Sequence, residues 1–435
     1  MKYPRPRGTK DYLPPESYER RLVLEKAREI FELYGYGEIV TPAFERLELL
    51  EAKAGPEIKE QIYWFKDKGG RLLGLRFDVT TSVARVVASN PTLPKPIRFY
   101  YIAPVWRYEE PQRGRLREFW QAGVELIGSP EVDADAEVIA LTRRFFKELR
   151  LRKVTVRLND RRVAEALALK YGATSKKEEF FRALDKLYKQ GEEGVTSELI
   201  RLGFSRESID GILNFITLSG PPLSVLREGM EELKEFKEGV EGLKSMEELI
   251  LTLVDHYGLT EEILKVDFSI VRGIGYYTGL VFEFLYEGEG EMRNLALAGG
   301  GRYDNLIELC GGPELPATGM SIGVERVMKA LKDAGLLNAP PPQADVIVIP
   351  VNEGLRRASV RIAETLRDEG IGAIVDVNRR SLRKLLEYAD KNEIRYAIIV
   401  GPKEYKEGMV VLKDLKSRSQ KEVKLRDLSV ELRKG

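Results

Sequence analysis

The 435-residue chain carries one cysteine and one histidine. One cysteine excludes an internal disulfide and fits a reducing cytosol. A zinc site draws about four ligands, mostly Cys and His, and Cys310 and His256 cannot supply them. A Ser-His-Asp or Cys-His centre would have to use His256, which ends the helical pattern "MEELILTLVDHYG". Cys310 reads as a small buried thiol before Gly311. No apolar run approaches the roughly 20 residues of a membrane span, and the opening "MKYPRPRGTKDYLPPE" has no apolar signal core. The chain reads as soluble and cytoplasmic, with no membrane partner. Its net charge of +1 offers no overall field for a nucleic acid, so any such surface is local. A GxxxxGK[ST] phosphate loop is missing, as is a GxGxxG fingerprint between strand and helix. Chemistry must rest on carboxylates, arginines, tyrosines or a bound cation.

What is present is a globular composition, 32% charged and 43% hydrophobic, long enough for two or three domains. Abundant Glu, Lys and Arg with little Cys and His resembles a heat-adapted composition. The apolar stripe Val23, Ala27, Ile30 and Tyr34 predicts a helix from about Glu16 to Tyr34, stopped by Gly35. "RLLGLRFDVTT" predicts a strand with Leu73, Leu75 and Phe77 on one face and Gly74, Arg76, Asp78 and Thr80 on the other. "PIRFYYIAPVWRYE" and "EFWQAGVELIG" predict two antiparallel strands joined by "EPQRGRLR". A helix follows from about Ala134 to Leu149, capped by Asp133, with Val138, Leu141, Phe145 and Leu149 inward. "KVTVRLN" is another strand.

From about 161 to 254 the chain is helical, heavily charged and broken by "SGPP", the pattern of an inserted helical unit. Strands resume with "GLVFEFLYE" and "RNLALAGGGRYD", before a helix over "MSIGVERVMKAL". Hairpins and irregular loops join the early strands, which predicts a mostly antiparallel sheet flanked by helices, an α+β fold. "NAPPPQ" is a linker. Beyond it strands and helices alternate as a small α/β domain with a mild basic bias. The expected division is 1–160 and 255–337 as two parts of one core, 161–254 as the insertion, 338–342 as linker and 343–435 as the last domain.

The second hairpin strand is the most informative. Trp120, Ala122, Val124 and Leu126 point one way into a core. Phe119, Gln121, Gly123 and Glu125 point the other way, an amide and a carboxylate two pleats apart with glycine between. Such a face admits a small ligand, or it faces water. The segment at 74–80 carries the same combination, which favours a concave polar site. Arg107 lies in an aromatic strand, where a guanidinium should find an anionic partner; Arg113, Arg115 and Arg117 on the loop read as solvated. "AGGGRYDNL" reads as a glycine turn between strand and helix, whose Gly300 and Gly301 amides offer themselves to an anion. Gly319 and Gly323, four apart, read as close helix packing, with Arg326 one turn further. In "SIVRGIGYYTGLVFE", one arginine and three glycines precede a strand, more than a turn needs.

These segments resemble the histidyl-tRNA synthetases, class II aminoacyl-tRNA synthetases of subclass IIa. "VTPAFER" resembles the first class II motif, a dimer-interface segment. "WRYEEPQRGRLREFWQAGVE" resembles the second and "ATGMSIGVERV" the third. "VRGIGYYTG" and "GGGRYD" resemble the two segments peculiar to the histidine enzymes. The resemblance implies a class II catalytic sheet, a C-terminal anticodon-binding domain, a homodimer, and L-histidine, ATP with Mg²⁺, and tRNA(His) as partners. It implies catalytic roles for Arg107, Arg272 and Arg326, with Arg107, Glu109 and Arg326 on ATP. Asp78, Thr80 and Gln121 would hold the amino group of histidine, and Glu125, Tyr276 and Tyr277 would complete its pocket. Gln112 and Arg115 would reach the tRNA acceptor end.

The family usually has aspartate where Gly275 stands, and bacterial members often have histidine where Trp120 stands. Activity is expected to survive both, because Arg272, Tyr276 and Tyr277 remain and Trp120 faces the core. A rival reading is an inactive histidine-binding paralogue that regulates histidine biosynthesis. Such relatives typically lack the last domain and the catalytic arginines, all present here. A synthetase of another specificity conflicts with "RGIGYYTG" and "GGGRYD".

Overall fold

The computed structural model describes residues 3–53, 60–110, 116–271, 277–290, 292–337 and 344–433. The chain divides into two compact units, Met1–Asn338 and Ala339–Gly435.

In the first unit, a helix at Glu16–Leu33 buries Val23, Ala27, Ile30 and Phe31. Gly35 follows at φ +79°, a left-handed turn that glycine adopts without steric cost. Strands β1 (Gly37–Glu38), β2 (Phe44–Arg46), β3 (Trp64–Lys66) and β4 (Leu72–Leu75) come next. β2, β4 and β3 form a small antiparallel sheet. The long hairpin is β5 (Ile97–Trp106) and β6 (Glu118–Ile127). β7 (Val154–Asp160), β8 (Leu264–Val266), β9 (Leu280–Tyr286), β10 (Ala296–Arg302) and β11 (Ala317–Gly323) complete an eight-stranded sheet. Its order is β1-β5-β6-β11-β10-β9-β7-β8. Only the edge pairs β1–β5 and β7–β8 are parallel, so the sheet is mostly antiparallel.

Both faces of this sheet are covered. Ala122, Val124 and Leu126 join a core with the helices Glu16–Leu33 and Val132–Glu148. That core continues into the helices between Arg161 and Asp255, reaching Phe180, Val195, Ile212 and Leu249. Tyr101, Val105 and Ile127 join a second core with Tyr277, Tyr303 and the helix Thr80–Ser89.

Several expectations need correcting. The strand at 71–81 ends at Leu75, and Thr80 opens a helix instead. The cause is Asp78, whose Oδ1 accepts from the Thr81 amide at 3.0 Å and hydroxyl at 2.9 Å. The helix at Val132–Glu148 starts before Asp133, with Glu131 at the cap position and no side-chain cap bond. "AGGGR" is not a turn but the interior of β10, hydrogen-bonded on both sides. "ATGMSIG" is strand β11, and only Val324–Asp333 is helix. Cys310 is half-buried rather than buried.

The second unit is a five-stranded sheet of order β13-β12-β14-β15-β16. β12 is Val346–Pro350, β13 Ala373–Val375, β14 Tyr396–Val400, β15 Met409–Asp414 and β16 Gln420–Lys424. β13, β12 and β14 are parallel, and β15 and β16 add antiparallel. The helices Arg356–Asp368 and Leu382–Lys391 supply the crossovers, as parallel pairing requires.

Candidate active site

The floor of the site is the Gln121–Gly123–Glu125 face of β6. Gln121 pairs with Ala103 and Gly323, Gly123 with Tyr101 and Ser321, and Glu125 with Phe99 and Gly319. The glycines are there because side chains would collide. A Cβ on Gly319 would sit 1.8 Å from Glu125 Oε2, and one on Gly123 would sit 2.4 Å from the Tyr101 hydroxyl. Gly319 thus makes room for a carboxylate, not for a helix.

Glu125 is 1% exposed, and a buried carboxylate is stable only with good hydrogen-bond partners. The Tyr303 hydroxyl donates to its Oε2. Tyr303 directly follows β10, so "GGGRYD" delivers a donor onto the β6 carboxylate. Gly301 in the same segment would place a Cβ 2.9 Å from the Tyr277 ring, which is how that ring fits against the sheet. Thr278 and Asp304 lock the two segments together. The Thr278 amide donates to the Arg302 carbonyl at 2.8 Å, and its hydroxyl to Asp304 Oδ2 at 3.2 Å. Arg302 is itself spent on structure, donating to Asp135 and to the Ser129 and Glu131 carbonyls.

Tyr101 gathers the rest. It is buried, and burial pushes its phenol well above the ordinary range, helped by the negative charges of Glu125 and Asp78. The Thr80 and Ser321 hydroxyls act on it in the opposite sense. Asp78 and Thr80, ahead of the hairpin, and Glu125 on β6 therefore all act on one phenol. Gln121 is buried beside them, with its Oε1 unpartnered among the described residues.

Arg107 and Arg326 are both half-buried. Arg107 Nε donates to the Phe77 carbonyl at 3.1 Å, one residue ahead of Asp78, and its guanidinium lies 5.2 Å over the Phe119 ring. Arg326 Nη1 donates to the Ala296 carbonyl at 2.8 Å. Glu109, also half-buried, accepts from Arg117 Nε through its carbonyl at 3.0 Å.

Arg272, Tyr276, Gln112 and Arg115 lie outside the described residues, as does Gly275. The approach to Arg272 is nonetheless fixed. Buried Asn159 donates to the carbonyls of Phe268 at 3.3 Å and Ile270 at 2.9 Å. A cavity of about 450 Å³ borders Tyr277 and Thr278 together with Arg161 and Arg162. Its arginines already pair with carboxylates, Arg161 with Glu165 and Arg162 with Asp160. Sequence reasoning gave no role to Tyr101, Tyr303 or Asn159. A tyrosine opposite a glycine across a predicted hairpin was the available signal for Tyr101.

A mostly antiparallel sheet with a buried carboxylate on β6 is the arrangement expected from the resemblance to the class II aminoacyl-tRNA synthetases. Residues 8–327 match the family of histidyl-tRNA synthetases and residues 345–435 that of the anticodon binding domain. A histidine–tRNA ligase of Pyrococcus furiosus is 42% identical over 427 residues, covering 98% of this chain and 97% of the relative. One from Thermococcus kodakarensis is 41% identical over 96% of this chain and 95% of its own. The crystal structure of histidyl-tRNA synthetase from Nostoc sp. PCC 7120 superposes with a TM-score of 0.84 at 29% identity, covering 100% of this chain and 99% of that one. The chain belongs to the histidyl-tRNA synthetase family.

Proposed function

We propose that the chain activates L-histidine with ATP, giving histidyl-adenylate and pyrophosphate, and then transfers histidine to the 3′ end of tRNA(His). The observation that carries the reading is the buried Glu125 carboxylate, held by Tyr303 and given room by Gly319. Ionised, it accepts a ring N–H of the imidazole, and an apolar substrate leaves it without that bond. Tyr276 and Tyr277 close the pocket, and Asp78, Thr80 and Gln121 receive the ammonium group.

The histidine carboxylate attacks the α-phosphorus. One P–O bond forms and the bond to pyrophosphate breaks. A carboxylate is already a nucleophile, so no protein base is needed. The protein supplies position and charge: Arg272 at the reacting carboxylate and α-phosphate, Arg107 at the α-phosphate, Arg326 at the γ-phosphate, and Glu109 on ATP. Among the described residues no three Asp, Glu, His or Cys side chains gather into an ion site. Mg²⁺ is read as accompanying ATP, on whose phosphates it would balance charge. Gln112 and Arg115 would meet the acceptor end in the second step.

We read 1–160 and 255–337 as the catalytic core, 161–254 as an inserted helical unit, 338–342 as linker and 343–435 as the anticodon-binding unit. A homodimer is supported by the small sheet whose strand β2 is the end of the segment that resembles the first class motif. Phe44, Trp64, Phe65 and Leu72 are all exposed there, and Val40 just ahead is 87% exposed. Monomers rarely leave such a group uncovered. No helix among the described residues is long and apolar enough to cross a membrane, which accords with a cytoplasmic enzyme. The regulatory paralogue is not favoured, because the relatives named as ligases match nearly the whole chain. Charging of tRNA(His) with labelled histidine, ATP and Mg²⁺ tests the reading. Charged tRNA is expected; histidine binding without charging would return the paralogue.

A further inference from the structure

Besides the exposed Arg7–Glu110 ion pair, the segment from Tyr3 to Pro15 makes two contacts that each lie one link from a proposed site arginine. At the first, the Gly8 carbonyl accepts the Arg117 amide at 2.8 Å, and the Arg117 carbonyl accepts the Arg107 amide at 2.9 Å. Gly8 sits at φ +82°, and a Cβ there would lie 2.6 Å from Arg117 Cγ. Both the backbone conformation and the space therefore demand glycine. At the second, the Tyr12 hydroxyl donates to Glu325 Oε1 at 3.2 Å, while Glu325 Oε2 accepts the Trp120 amide at 3.0 Å. The Arg20 guanidinium lies 4.3 Å over the Tyr12 ring and 5.1 Å over the Trp120 ring. Glu325 immediately precedes Arg326, and Trp120 immediately precedes Gln121.

Packing alone already seats the helix Val324–Asp333, through buried Val324, Val327, Met328 and Leu331. Strand pairing runs to Gly323 opposite Gln121. The Tyr12–Glu325 bond is thus not needed to place the helix. What it adds is control of the first turn, where Arg326 departs. Burial raises the phenol of Tyr12 and the carboxyl of Glu325 alike, consistent with a donor and acceptor shielded from water.

We propose that residues 3–15 form a strap that holds Arg107 and Arg326 at the spacing one triphosphate requires, with Gly8 and Tyr12 as positioning residues for ATP. The proposal rests on reading those arginines as the phosphate clamps. The test is ATP–pyrophosphate exchange by the full chain, with ATP and histidine varied separately, for Tyr12→Phe, Gly8→Ala and Arg326→Lys. Tyr12→Phe is expected to raise the KM for ATP about two- to tenfold, the worth of one hydrogen bond. The KM for histidine should stay at its parent value, and the thermal midpoint should fall only slightly, because Glu325 keeps the Trp120 amide. Gly8→Ala should shift the same constant, and more. Wild-type ATP constants in both variants, with Arg326→Lys impaired, overturn the strap while leaving the clamps. ATP and histidine constants that rise together as the thermal midpoint falls markedly reduce it to a fold anchor and also overturn it. An unaffected Arg326→Lys removes the clamp reading and the strap with it.

Discussion

Strands β6 and β12 are both interior strands, paired on each side in their own sheets, yet they are built on opposite rules. In β12 successive residues are apolar on both faces: Val346 and Val348 enter one core, Ile347 and Ile349 another. Helices cover a parallel strand on either side, so every position is packing. In β6 one face is apolar from Trp120 to Leu126, and the other, apolar at Phe119 and Ile127, buries Gln121 and Glu125 around Gly123. Burying a carboxylate costs stability unless its partners are supplied. Here Tyr303 and the space over Gly319 supply them. On the proposed reading the first sheet carries its chemistry on the strand itself, whereas β12 is given over to packing.

The contrast can be broken most severely at Arg272, which lies between β8 and β9 in the chain. Arg272→Ala should lower the rate of adenylate formation by roughly 10²–10³ or more, the usual loss for a preorganised donor, measured by single-turnover kinetics. Near-normal adenylate formation would remove the proposed role. On the β6 floor, Glu125→Gln should weaken histidine discrimination by about 1.5–3 kcal/mol, the range for a hydrogen bond to a charged group. Unfolding midpoints should move little, since shape is kept. Tyr303→Phe should raise the KM for histidine about tenfold through the same carboxylate, with the KM for ATP unmoved.

Substitutions in the second sheet should do the reverse. Ile347→Val should cost about 0.5–1.5 kcal/mol of stability while exchange activity keeps its parent value. Asp414 sharpens the comparison through pH. Amides of Ser417 and Lys416 donate to its carboxylate at 3.0 and 2.9 Å, and the Ser417 amide first of all holds its pKa below the ordinary value. A depressed carboxylate stabilises the fold above its unfolded pKa, and the contribution fades as pH falls through the folded one. Asp414→Asn should therefore lower the unfolding free energy slightly near neutral pH, by at most about 1 kcal/mol. The difference should vanish in strong acid.

The hairpin and the C-terminal unit were legible because each strand's alternation, or its double-sided apolarity, matches one burial pattern. The two faces of β6 could be assigned residue by residue. Thr80 was misplaced because a strand running into a capped helix keeps the same alternation for a few residues. Only the Asp78–Thr81 bond separates the two readings. The glycines of β10 and β11 misled for a different reason. Sequence reasoning values glycine for backbone freedom, whereas Gly300 and Gly319 are required for the missing side chain. A Cβ on Gly300 would meet the Gly319 carbonyl at 2.0 Å. Tyr101 and Tyr303 were invisible as site residues because a tyrosine in a strand is ordinarily core, and which carboxylate it meets is decided by pairing across the sheet.

The most direct test of the central claim, that the β6 floor reads the imidazole, is ATP–pyrophosphate exchange with each of the twenty amino acids separately. The wild type and Glu125→Gln should be run side by side. The account predicts exchange with histidine alone in the wild type and a loss of that preference in Glu125→Gln. Exchange with another amino acid in the wild type, or undiminished histidine selectivity in Glu125→Gln, would contradict it.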